Sequence, residues 1–211
     1  MALAAGVAAS ASAQEATFGV RAGLNLSKVA VSGEAVDGNL TTDNLAGFHV
    51  GVVADIKLNE HFYFQPGLMF STKGGKESES ALGVSVTTTM NPSYIELPLM
   101  LSLKLPLGDD VAVRINAGPY AAYGLFGKAK IEAGSTSVEL DLFEKVEGAD
   151  KAMLKRLDYG VGFSGGVEFK QLYLGVSYDF GLANLLNVDD ADNAKMKYVN
   201  QTIGISLGYN F

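Results

Sequence analysis

Thr202-Ile203-Gly204-Ile205-Ser206-Leu207-Gly208-Tyr209-Asn210-Phe211 is the stretch that decides the fold. Ile203, Ile205, Leu207, Tyr209 and Phe211 fall on one face of an extended segment, and Thr202, Gly204, Ser206, Gly208 and Asn210 fall on the other. Successive side chains of a strand point to opposite faces, so this segment is apolar on one side and small or polar on the other. Seven further segments keep the same period of two: 17–26, 47–58, 61–71, 94–105, 111–125, 157–170 and 171–182. Their apolar faces carry no Asp, Glu, Lys or Arg, although charged residues make up 18% of the chain. A sheet closed into a cylinder with lipid outside and water inside imposes this division, because a charge on the lipid face costs about 2–4 kcal/mol at the bilayer midplane.

The connections alternate in length. Residues 59–60, 106–110 and the junction of Lys170 with Gln171 are tight, whereas 27–46, 72–93, 126–156 and 183–199 are long. Short turns at one end and long loops at the other describe an outer-membrane barrel with its short turns in the periplasm. The sequence therefore predicts an all-β fold, an eight-stranded antiparallel up-and-down transmembrane β-barrel over 14–211. Phe18, Phe62, Phe64, Phe169, Tyr209 and Phe211 would form an aromatic girdle at the short-turn end. Phe48, Phe70, Tyr123, Tyr159 and Phe180 would form one near the long loops. Pro66, Pro98 and Pro119 lie inside proposed strands and cannot donate a ladder hydrogen bond, so bulges or broken pairing are expected there.

Composition narrows the function. A net charge of -7 and the lack of a basic stripe disfavour nucleic acid as a partner. With no cysteine there is no disulfide framework and no thiolate chemistry. Leu3 to Ala9 is a short apolar run followed by Ala11-Ser12-Ala13, an A-x-A cleavage pattern with Gln14 next. Residues 1–13 read as a residual export signal without its usual basic start, and the barrel domain begins at Gln14.

Several stretches resemble a known family. Gly19-Val20-Arg21-Ala22-Gly23-Leu24-Asn25-Leu26-Ser27 is similar to the first strand of the Bacteroidetes outer-membrane β-barrel family that includes the PorT-like proteins. Gln65-Pro66-Gly67-Leu68 with Ser71-Thr72-Lys73-Gly74 resembles its third strand. Tyr94-Ile95-Glu96-Leu97-Pro98-Leu99 resembles its fourth, Ala117-Gly118-Pro119-Tyr120 its fifth, and Tyr178-Asp179-Phe180-Gly181-Leu182-Ala183-Asn184 its seventh. The ordered set covers nearly the whole mature chain. The resemblance implies that strand prolines are a habit of the family, and it brings no catalytic residues.

The polar faces place Arg21, His49, Asp55, Lys57, Glu96, Lys104, Arg114, Asp158, Glu168 and Asp179 inside the cylinder. Arg21, Asp55 and Arg114 come at similar heights above the short turns, with Glu168 slightly lower. Glu96, His49, Asn25 and Asp179 form a higher layer. An eight-stranded barrel is narrow enough for such side chains to fill it as a structural polar network, or they could line a small ion path. The only histidines are His49 and His61. His61 sits beside a tight turn, and no serine–histidine–acid set is visible around His49, so no catalytic residue, cofactor or metal is assigned and no enzyme is expected. Asn187-Val188-Asp189-Asp190-Ala191-Asp192-Asn193 is acidic but lacks EF-hand spacing and reads as a solvated loop. In the third loop, 128–132 and 138–142 alternate around Ala133-Gly134-Ser135-Thr136, which predicts a hairpin continuing beyond the membrane and a helical turn near 152–156.

The functional expectation is an outer-membrane protein with a structural or surface-interaction role. Its partners would be outer-membrane lipid and an extracellular ligand or protein bound by the long loops. The alternatives are a small pore or transport- or secretion-associated component and, third, a lipid-modifying enzyme. A soluble lipocalin-like cup is the rival fold, and it would reverse inside and outside.

Overall fold

A computed structural model describes residues 16–32, 40–81, 84–134, 136–145, 151–187 and 197–211. The residues before Ala16, including the predicted export signal, and the acidic stretch after Asn187 lie outside the described residues. In chain order the strands are β1 (Ala16–Ser32), β2 (Leu40–Thr41), β3 (Leu45–Lys57), β4 (Phe62–Thr72), β5 (Gly75–Ala81), β6 (Val84–Pro106), β7 (Val111–Ala133), β8 (Thr136–Asp141), β9 (Leu157–Phe169), β10 (Leu172–Gly181) and β11 (Lys197–Asn210). Eight of them close a ring, β1-β3-β4-β6-β7-β9-β10-β11, each antiparallel to its neighbours. The ring shuts where β1 meets β11, from Gly19↔Asn210 to Ser32↔Lys197, and the predicted last strand is thus the partner of the first.

The register gives the stagger of the barrel. From Glu168 the paired residues run through Tyr173, Gly208, Arg21, Gly51, Met69, Glu96 and Ala122 to Asp158. One circuit therefore returns to β9 ten residues from its start. Such a shear demands steeply tilted strands, typically about 35–45° to the axis, and leaves a bore that side chains fill.

The apolar stripes face outward, as their period required. Leu97 is 45% exposed and Leu101 51%, whereas Glu96 on the opposite face of the same strand is 7% exposed and Arg114 is 1%. A cup with a dry interior would show the opposite. Along the outside, Phe48, Phe70 and Phe126 form a row with centroids 5.7 and 6.2 Å apart near the long loops, and Tyr209 meets Phe211 at 5.5 Å at the other end.

The strand prolines interrupt pairing without shifting the register. Ladder pairs are missing between β3 and β4 at Ala54/Asp55 opposite Pro66/Gln65, between β4 and β6 at Gly67/Leu68 opposite Pro98/Leu97, and between β6 and β7 at Leu99/Met100 opposite Pro119/Gly118. Each gap lies beside a ring nitrogen that has no proton to give. The one register shift in the β6–β7 pairing comes higher, between Ser93 and Tyr94.

Above the membrane band, β5 pairs with the start of β6 and β8 with the end of β7, so β5-β6-β7-β8 forms a sheet that rises past the rim. The third-loop hairpin was legible in the sequence; the matching extension by β5 was not. The expected helical turn near 152–156 is absent. Leu154 instead bridges to Leu186, because the chain there folds inward under the loops. Leu142, Phe143 and Leu154 from the third loop join Ala183 and Leu185 from the fourth. They pack over Val29, Tyr94, Tyr120, Ala122, Ala129 and Tyr198, a buried apolar cluster across the outer mouth.

Candidate functional site

The lumen holds three tiers of polar side chains. At the periplasmic end Arg114, on β7, reaches Asp55 at 2.7 Å and Glu168 at 3.0 Å, and Lys104 meets Glu168 at 2.5 Å. Gln65 donates to Asp55 at 2.6 Å and Asn210 to Glu168 at 3.1 Å. Each carboxylate is thus held by a cation and an amide, the arrangement that makes a buried charge tolerable. Arg21 stands apart: it makes no ion pair among the described residues, lies 4.5 Å over the Tyr173 ring, and leaves Nη2 buried without a hydrogen-bond acceptor.

The top tier centres on Lys73, which the sequence placed in a loop. It is 2% exposed, pairs with Glu96 at 2.5 Å, lies 3.9 Å from Asp158, and sits 4.2 Å from the Tyr120 centroid and 5.8 Å from that of Tyr94. Asn200 donates to Asp158 as well, at 3.0 Å. Sequence periodicity could not find Lys73, because it follows the end of β4 and is drawn in by partners on β6 and β9.

Between these tiers lies a cavity of about 110 Å³, lined among others by Arg21, His49, Met100, Asn116, Asp179 and Ser206. Of the layer expected to hold Glu96, His49, Asn25 and Asp179, His49 and Asn25 are in direct contact. Asn25 Nδ2 donates to Phe48 O at 3.2 Å, Ser71 Oγ at 3.1 Å and Thr72 O at 3.0 Å. Its Oδ1 is therefore the atom facing His49 Nδ1, at 2.7 Å. An amide oxygen only accepts, so Nδ1 carries the imidazole proton and Nε2 is the acceptor. Ser206 Oγ lies 2.8 Å from Nε2 and donates to it. Gly23 leaves the room for this: a Cβ there would stand 2.5 Å from His49 Cε1 and 2.6 Å from Nε2. Ser206 was visible only as one polar position of the last strand, since its approach to His49 depends on β11 closing against β1. Lys57 is half-buried at the short-turn end of β3, and His61 lies in the exposed turn, its backbone N–H bonded to Asn59 Oδ1 at 3.0 Å.

The model of a family described as the outer membrane protein beta-barrel domain matches residues 10–187, most of the chain. The chain belongs to this family. It is accordingly a protein of the bacterial outer membrane, and the apolar belt is its lipid contact. No curated protein matches the sequence. Among solved structures, Ail, the attachment invasion locus protein of Yersinia pestis, is 14% identical with a TM-score of 0.41, over 93% of this chain and 99% of that one. Neisserial surface protein A is 10% identical with a TM-score of 0.42 over the same shares. The translocator domain of the autotransporter NalP from Neisseria meningitidis is 7% identical with a TM-score of 0.37, over 92% of this chain and 88% of that one. Likenesses this distant carry no function with them.

Proposed function

We propose that this family member is a surface-interaction protein: the barrel anchors it, and the sheet and loops above the rim are what an extracellular ligand or protein meets. The observation that carries this reading is the sealed bore. Two tiers of paired charges fill the lumen, and an apolar cluster from the third and fourth loops lies across its outer mouth. A path for ions would need continuous water, whereas the chain places its longest segments in structure outside the membrane. The PorT-like resemblance of the strand motifs is compatible with this role and adds no ligand.

The test is planar-bilayer recording beside surface binding. The purified barrel should give no steady conductance. Replacing the β5–β6 and β7–β8 extensions by short turns should leave a folded, heat-modifiable barrel, and cells carrying the intact chain should bind an extracellular ligand or protein that cells carrying the shortened chain do not. Steady ion-selective current from the intact chain would transfer the assignment to a pore, the reading that the charged central cavity favours.

A further inference from the structure

We infer that Ser206, His49 and Asn25 form an acyl-transfer centre inside the lumen, with Ser206 the nucleophile, His49 the base and Asn25 the positioning residue. This goes beyond the role of the loops and does not depend on it. Nucleophilic catalysis by serine needs its hydroxyl on the acceptor nitrogen of an imidazole whose other nitrogen is held by an acceptor. Both contacts are present, at 2.8 and 2.7 Å, and they come from three side chains on three strands. The tautomer is fixed as well. Asn25 commits its amide hydrogens to Phe48, Ser71 and Thr72, so it can only accept from Nδ1, which leaves Nε2 to take the serine proton.

A structural hydrogen-bond chain would require neither a cavity beside the hydroxyl nor an idle donor. Ser206 lines the central cavity, and so does Arg21, whose buried Nη2 has no acceptor. Arg21 lies against Gly208, the next residue on the same face of β11 as Ser206: a Cβ at Gly208 would come 2.5 Å from Arg21 Nη1. Nη1 donates to Val20 O at 3.0 Å, so it is the positive charge of the guanidinium beside Ser206 that we assign to stabilise the oxyanion of a tetrahedral intermediate. Val53, Met69 and Met100 supply apolar lining, and about 110 Å³ admits a small acyl group. The substrate class is thus a short-chain carboxylic ester. The cavity wall at Pro98 and Met100 belongs to the stretch of β4, β6 and β7 where ladder pairs are missing. That is the least tied part of the barrel and the entry we assign to an ester dissolved in the membrane.

The chemistry balances with water as the second reactant. Ser206 Oγ attacks the ester carbonyl as its proton passes to His49 Nε2. The C–O bond to the alcohol breaks, and His49 returns the proton to the leaving oxygen. Water, deprotonated by His49, then attacks the acyl-serine and releases the carboxylic acid and the free hydroxyl.

The full chain, refolded in non-ionic detergent and checked by heat-modifiable mobility, would be given 4-nitrophenyl acetate and, separately, a small alkyl fluorophosphonate. We expect a burst of nitrophenolate and a covalent adduct on the peptide carrying Ser206. Ser206→Ala should abolish the adduct, and His49→Gln should slow it about 100-fold or more. Ser78→Ala, which removes an exposed hydroxyl of β5 outside the cavity, should leave it unchanged. If His49→Gln does not fold, His49→Asn serves in its place, since the shorter amide fits the same space and leaves Ser206 without a base. Absence of an adduct on the folded wild type, or equal labelling of wild type and Ser206→Ala, would overturn the proposal and leave the three side chains a structural network only.

Discussion

Arg114→Ala tests whether the bore is filled or open. The guanidinium is 1% exposed, holds Asp55 and Glu168 at 2.7 and 3.0 Å, and lies 5.5 Å from the Tyr63 centroid. Removing one partner of a buried ion pair costs about 3–5 kcal/mol, because the charge left behind is neither paired nor hydrated. Here both carboxylates keep help: Glu168 retains Lys104 and Asn210, and Asp55 retains Gln65. The loss should therefore fall at the low end, about 3 kcal/mol. Denaturant unfolding in phospholipid vesicles, followed by far-ultraviolet circular dichroism and by the heat-modifiable band, measures it. The double variant Asp55→Asn with Arg114→Ala should recover part of the loss, since the stranded carboxylate is gone, and a double-mutant cycle gives the coupling. An unchanged unfolding midpoint combined with altered ion selectivity would refute the reasoning, for that is the behaviour of a pore-lining arginine.

Gly118→Ala should destabilise the barrel by about 1–3 kcal/mol in the same assay, since its Cβ would meet the β6 backbone at Leu99 O and come 2.9 Å from Met100 Cα, neither of which can turn aside. Amide hydrogen exchange in nanodiscs should run faster at Gly67, Leu68, Met100 and Gly118, beside the proline gaps, than along the unbroken β1–β11 ladder; uniform protection would show the gaps to be closed in solution. Lys73→Met should lower stability far more than Lys128→Ala, although both lysines pair with a glutamate. Lys73 is buried against Glu96, while the Lys128–Glu139 pair stands in water at the rim, and equal effects in unfolding experiments would contradict the buried tier. Phe143→Ala together with Leu185→Ala should open the apolar cap to solvent, read as new ANS binding without loss of the barrel band, and unchanged dye binding would mean the cluster does not seal the mouth.

The sequence by itself determined the closed, lipid-facing cylinder. A period of two leaves each strand a single choice of face, and the charge-free stripe allows only lipid on the outside, so Leu97 and Glu96 could be assigned to opposite sides before any strand was paired. Counting residues from a short turn also measures height, and it puts Arg21, Asp55 and Arg114 at one level and Glu96, His49, Asn25 and Asp179 at another, without saying which of them touch. Tertiary structure alone decided the rest. Which tier-mates touch depends on the shear, a property of all eight registers together, and it leaves Arg21 on Tyr173 rather than on a carboxylate. Lys73 and the apolar cap come from segments outside the strand rhythm, where periodicity carries no information. Ser206 reaches His49 only because the last strand closes on the first, a contact between residues 157 positions apart that no local pattern encodes.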